Sequence, residues 1–149
     1  MSVTLERRGR SGAVDATEWS PARLYLVISG IFLVASTTIG FMVNSAFPAT
    51  PEAVHDAGSG HIFGIFETNG WHNLSGMISG VIALGFAVKP RWARTGALLK
   101  GTMYVAVTIS IAIWGPDTFK IASNTADQFV HGTLAVTGLW AGFATHRAT

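Results

Sequence analysis

The sequence predicts an all-α integral membrane protein, a four-helix bundle built as two tandem helix pairs, and three observations predict it. Apolar types reach 49% of the 149 residues while charged types fall to 12%, against about 25% in ordinary soluble domains. Four apolar stretches, 24–43, 71–88, 97–114 and 127–144, approach the roughly 20 residues that cross a hydrocarbon core. Threading them alternately through a bilayer puts Arg7, Arg8, Arg10, Arg23, Lys89, Arg91, Arg94, Lys100 and Arg147 on the starting side and Lys120 alone on the other. Cytoplasmic loops hold the excess of Lys and Arg, so both termini are expected in the cytoplasm.

The elements follow in order. Residues 1–20 read as a disordered basic cytoplasmic tail, because Arg7, Arg8 and Arg10 precede a polar stretch with too little apolar surface to offset ordering. The transmembrane domain is expected over 21–149. Its first span, about 22–43, opens at Pro21, which suits a first helical turn. An outer loop, 44–69, carries Glu52, His55, Asp56, His61 and Glu67 with no Lys or Arg. Within it, 61–67 is apolar enough to lie at the membrane surface or fold back on the bundle. The second span, about 70–88, ends at a basic turn around Pro90. The third, about 95–114, begins near Lys100, whose stem is expected to carry its ammonium back to the inner interface, and it stops at Gly115-Pro116. The fourth, about 125–144, ends toward His146 and Arg147. Trp19, Trp92 and Trp140 fall toward the inner interface, Trp71 and Trp114 toward the outer one, as amphipathic rings do at headgroup depth.

Small residues recur at helix-packing spacing. Gly76 with Gly80, and Gly138 with Gly142, allow close backbone approach where lipid supplies no hydrophobic drive. Packing within the bundle accounts for them more simply than a homodimer seam. The outer ends of the second and fourth spans also resemble each other. Asn69-Gly-Trp-His72-Asn73-Leu-Ser-Gly76 aligns without gaps to Asn124-Thr-Ala-Asp127-Gln-Phe-Val-His131. Helix pairs repeated in this way share one orientation across the membrane.

Helical spacing puts Asn124, Asp127 and His131 on one face, with His72 at the matching place on the second helix. Ionisable groups inside a bilayer are costly and mark function, so His72, Asn73, Asn124, Asp127 and His131 form the candidate polar cluster. Asp127 beside a histidine would orient the imidazole. The structural alternative is a capping box between Asn124 and Asp127. His55, His61 and Glu67 are the weaker metal candidates, since imidazole with carboxylate suits zinc, though their spacing matches no ligand motif. No cofactor is expected, with zinc or haem as the alternatives. The chain has no cysteine, and no phosphate-binding glycine loop or nucleophile elbow appears. The basic residues, spread beside membrane spans, suit anionic lipid headgroups and not nucleic acid.

The stretch from Phe63 through His72 and Asn73 to Leu74, and the later Asn124 to His131, resemble the small bacterial membrane proteins grouped as domain of unknown function 4383. The resemblance covers about 21–143. His72, Asn73, Asn124, Asp127 and His131 match its two motifs, while Gly76 stands where the family pattern has a second histidine. The family implies four spans and the bacterial cytoplasmic membrane, and its name assigns no activity. Three function classes remain open. The leading one is a non-enzymatic structural or accessory subunit, packing with itself or within a larger membrane complex. The others are a small transporter or proton-linked sensor using the His/Asp cluster, and a metal- or haem-binding protein.

Orientation is checked by reporter fusion. Alkaline phosphatase fused at either terminus or at Pro90 is expected to be inactive, and fused within 44–69 to be active; activity at Pro90 would reverse the assignment.

Overall fold

The computed structural model describes residues 19–56 and 60–145. The basic tail (all but its last two residues), the end of the chain at His146 and Arg147, and the side chains of His55 and Asp56 lie outside the described residues. Four long helices dominate the rest: α1 (Pro21–Val43), α3 (Gly70–Val88), α4 (Pro90–Trp114) and α5 (Thr125–Ala144). Between α1 and α3 come a short helix, α2 (Glu52–Asp56), and a two-stranded antiparallel hairpin, β1 (Gly60–Ile62) with β2 (Phe66–Thr68). A 3-10 turn, Asp117–Phe119, joins α4 to α5.

Each long helix has its own start signal. Ser20 accepts the Arg23 N–H ahead of Pro21, and Asn69 and Asn124 cap α3 and α5. Pro90 sits at the first position of α4, whose missing donor costs nothing there. That start moves α4 ahead of the expected 95, because Arg91, Trp92 and Arg94 form a helical turn outside the apolar run. The expected snorkelling of Lys100 is therefore wrong. Lys100 stands about 15 Å into the helix, is only 7% exposed, and has no hydrogen-bond partner for Nζ. The outer loop is also more ordered than a plain loop. Its hairpin reverses through the three residues Phe63, Gly64 and Ile65, the first two at positive φ and the third returning its N–H to the Ile62 carbonyl at 3.1 Å.

α1 packs chiefly on α3, and α4 on α5. The distribution of residue types is inverted relative to a water-soluble bundle. The inside is small: Ala22, Ala83, Ala87, Ala93, Ala97, Ala135 and Ala141 are buried, with Gly30, Gly80, Gly101 and Gly138 between helices. The outside is large, with Ile28, Ile31, Val81, Ile82, Leu99, Ile109, Ile113, Val136 and Phe143 all exposed. Close approach of backbones with bulky side chains turned outward is what lipid-embedded helices do. Three of the helices, α1, α3 and α4, are long and apolar enough to cross a membrane, with mean hydropathies of 2.2, 1.3 and 1.6. The protein is thus all-α and membrane-like.

The helix pairs pack alike. A Cβ on Gly30 would strike the Leu84 side chain and lie 3.1 Å from the Gly80 carbonyl; one on Gly101 would strike Leu139 and lie 3.1 Å from the Ala135 carbonyl. The likeness continues along both central helices. Ala22 and Ala93 are fully buried, Leu33 and Tyr104 share one core cluster, and Thr37 and Thr108 bond back to the Leu33 and Tyr104 carbonyls. In that alignment Ser29 corresponds to Lys100.

The glycine faces are used within the chain. A Cβ would meet Thr37 at Gly76, Val34 and Leu33 at Gly80, Tyr25 at Gly138, and Leu98 at Gly142. Gly85, by contrast, has nothing within 4 Å. Gly80→Leu is accordingly expected to destabilise by about 2–3 kcal/mol through overpacking, while Gly85→Ala stabilises by up to about 1 kcal/mol. Reversible unfolding in mixed micelles checks both; equal effects would refute this packing.

Candidate functional site

The N-terminal ends of α3 and α5 are locked by an exchange of side-chain bonds. Asn69 Oδ1 accepts the His72 N–H at 2.9 Å, closing its own helix, while its Nδ2 donates to the Lys120 carbonyl at 2.9 Å. Asn124 Oδ1 accepts the Asp127 N–H at 3.2 Å, and its Nδ2 donates to the Ile65 carbonyl at 2.7 Å. Ile65 and Lys120 stand equally far ahead of the two caps. Each asparagine thus serves its own helix with oxygen and the other pair's loop with nitrogen.

His72 and Asp127 continue the exchange one turn in. His72 Nδ1 lies 2.7 Å from the Ala122 carbonyl and 3.0 Å from that of Glu67. A carbonyl offers only lone pairs, so Nδ1 carries the hydrogen. Asp127 Oδ2 accepts the backbone N–H of Glu67 at 3.1 Å and of Asn124 at 2.9 Å, the second completing a capping box. The imidazole is therefore oriented by carbonyls, and the Asp127 carboxylate holds the hairpin and not the His72 ring. Asn73, 1% exposed, donates to the Asn44 carbonyl and accepts from the Thr68 hydroxyl, tying α3 to the end of α1.

His72 and His131 come together: their rings meet edge to face with centroids 5.9 Å apart. They border a cavity of about 100 Å3 shared with Asn73, Asp127 and Glu67 and roofed by Ile62, Phe63 and Phe66 of the hairpin. Beyond His131 the polar line continues inward. The Tyr104 ring is 5.5 Å from that of His131, and Lys100 Nζ lies 5.8 Å from the Tyr104 ring and 5.9 Å from the Tyr25 ring. Tyr104 donates to Ser79 Oγ and Tyr25 to the Leu134 carbonyl. His131 Nδ1 and Lys100 Nζ are buried without hydrogen-bond partners, as are Ser29 Oγ and Gln128 Oε1.

The weaker metal candidates part company. His61 and Glu67 face each other across the hairpin, with His61 Nε2 3.6 Å from the carboxylate, on its partly exposed side; the side chain of His55 is outside the described residues. Among the described residues no three His, Asp or Glu side chains converge to hold a metal ion. Sequence reasoning missed Lys100, Tyr104, Tyr25 and Ser79. One signal was available for Lys100: it shares a helical face with Gly96, Ala97, Gly101 and Tyr104, the small face of an apolar helix, which packs inward and not toward lipid.

Residues 23–144 match the family described as Domain of unknown function (DUF4383), and the chain belongs to it. No curated protein and no solved structure matches the chain.

Alanine at Asn69 or Asn124 removes a cap worth about 0.5–2 kcal/mol and strands a loop carbonyl. The two substitutions are expected to couple by more than about 0.5 kcal/mol in a double-mutant cycle of unfolding free energies. Additive effects would mean that the two caps act separately.

Proposed function

We propose that this member of the family crosses the bacterial cytoplasmic membrane four times, with both termini inside, and relays protons through its interior as a small carrier or proton-linked sensor. The fourth crossing is α5. Its 20 residues give a length of about 30 Å, the thickness of a hydrocarbon core, and it packs along α4 throughout. The matched packing of α1 with α3 and α4 with α5, and the reciprocal caps, support a tandem repeat of helix pairs.

One observation carries the relay. His131 lies between the His72 ring at the outer mouth and the Tyr104–Lys100 pair at mid-depth, and neither His131 Nδ1 nor Lys100 Nζ makes a hydrogen bond within the fold. A buried polar group left without a partner costs about 1–3 kcal/mol, and a lysine at the centre of a span costs about 2.5–3.5 kcal/mol in insertion. Chains retain such burdens where activity needs them. The ionisable residues also sit where the two halves differ, with His131 answering Gly76, Lys100 answering Ser29, and Asp127 answering His72.

A purely structural or accessory role has less support. It is motivated by a compact four-span body, glycine-lined helix faces and the lack of a complete catalytic set, and of these the glycine faces offer no seam, since they pack against Thr37, Val34, Tyr25 and Leu98 of the same chain. The hydrogen-bonding of Asn69, Asn124 and Asp127 is structural on either reading, so the relay rests on His72, His131, Tyr104 and Lys100.

Lys100→Met and His131→Leu are expected to raise the unfolding free energy by about 1–3 kcal/mol and to remove proton movement together. Purified protein in liposomes, with a pH gradient, valinomycin and an internal pH dye, reads the movement. A carrier dissipates the gradient at least tenfold faster than either variant; a sensor instead shows a pH-dependent His72 ring signal in NMR that His131→Leu shifts. Loss of stability in both variants, or neither signal in the native protein, would overturn the proposal.

A further inference from the structure

A second, larger hollow lies beside the polar line, which it meets at Tyr25. It is a groove between α1 and α5 of about 630 Å3, walled by Trp19, Ile28 and Phe32 on one side and Phe129, Thr137 and Trp140 on the other. The Tyr25 hydroxyl bonds to the Leu134 carbonyl across its floor at 2.8 Å, so the two helices are joined beneath the groove while it stays open sideways. All six wall residues are exposed, Phe129 by 81% and Trp140 by 65%.

We propose that this groove binds one acyl chain of an anionic phospholipid from the inner leaflet. Length supports that occupant. From Pro21 to Phe32 the groove follows α1 for about 16 Å, close to half of the roughly 30 Å hydrocarbon core, so it is one leaflet deep. Its inner end is marked by Trp19 and Trp140, rings that suit headgroup depth. Charge supports the headgroup. The Arg23 guanidinium lies 4.8 Å from the Trp19 ring and commits Nε to the Ala87 carbonyl at 3.1 Å. A guanidinium has four further N–H donors, a fork that matches phosphate. Among the described residues the carboxylates Glu52, Glu67, Asp117 and Asp127 lie at the far ends, while Glu6, Asp15 and Glu18 precede Trp19 in sequence; the experiment below separates a second copy from lipid. The inference rests on the membrane orientation proposed above and is independent of the relay.

Native mass spectrometry of the full chain, exchanged into micelles holding equal phosphatidylglycerol and phosphatidylcholine, tests it. The native protein is expected to retain one phosphatidylglycerol per chain. Thr137→Phe fills the groove and reduces retained lipid of either kind at least fivefold. Arg23→Gln keeps a lipid but loses the preference for phosphatidylglycerol. Val136→Phe, on an exposed face outside the groove, leaves retention unchanged, and circular dichroism verifies that each variant is folded. No retained lipid on the native protein, equal loss in Val136→Phe, or a lipid-free dimer that Thr137→Phe dissociates would overturn the proposal, the last by showing a second copy in the groove.

Discussion

A helix that ends inside or against a membrane leaves N–H groups that water does not reach, and they must find partners in protein. At one end of this bundle two helices, α3 and α5, begin side by side, and both face that demand. Asn69 and Asn124 meet it jointly, each closing its own first turn and holding the loop that leads into the other. The rest of the outer architecture depends on this exchange. It draws the hairpin over the bundle, sets Glu67 and Ala122 against α5 and α3, and so brings the His72 ring to His131. Without it, the hydrogen bonds between the two helix pairs would be those of Tyr25 to the Leu134 carbonyl, Tyr104 to Ser79 and the Ala22 N–H to Thr145, all deeper in the bundle or at its opposite end.

Below that lock the packing is governed by volume. Glycine and alanine line the contacts between paired helices, and the bulky residues face outward. Close contact leaves little space in which a charge can be hydrated. Lys100 occupies that space among the rings of Tyr25 and Tyr104, whose faces offer weak attraction to a cation. Of the four buried polar side-chain atoms without a hydrogen bond among the described residues, the two nitrogens, on His131 and Lys100, fall along one line of side chains, and the other two are Ser29 Oγ and Gln128 Oε1.

Much of this was legible in the sequence because a bilayer imposes simple rules. Charge depletion, span length and the placement of Lys and Arg fix the class, and Asn before a polar first turn marks the starts of α3 and α5. The likeness of those two starts was readable as well. What escaped was whatever depends on register. Reading α4 from its apolar run put Lys100 beside the interface; Pro90 and the Arg-rich first turn put it near the helix centre. The pairing of His72 was missed for a related reason. Sequence places Asp127 at the right spacing for an ion pair, but the carboxylate is taken by N–H groups that only the folded loops deliver. The hairpin, just three residues on each strand, is too short to carry a pattern of its own.

The depth of Lys100 has an electrical consequence. A charge moved across the whole membrane works against about 2.3 kcal/mol per 100 mV. A proton passing from the outer mouth to Lys100 on the proposed relay traverses about half of that field, or about 1 kcal/mol per 100 mV. The resting voltage of a cell would therefore bias occupancy of the inner end severalfold, making the protein responsive to both components of the proton-motive force.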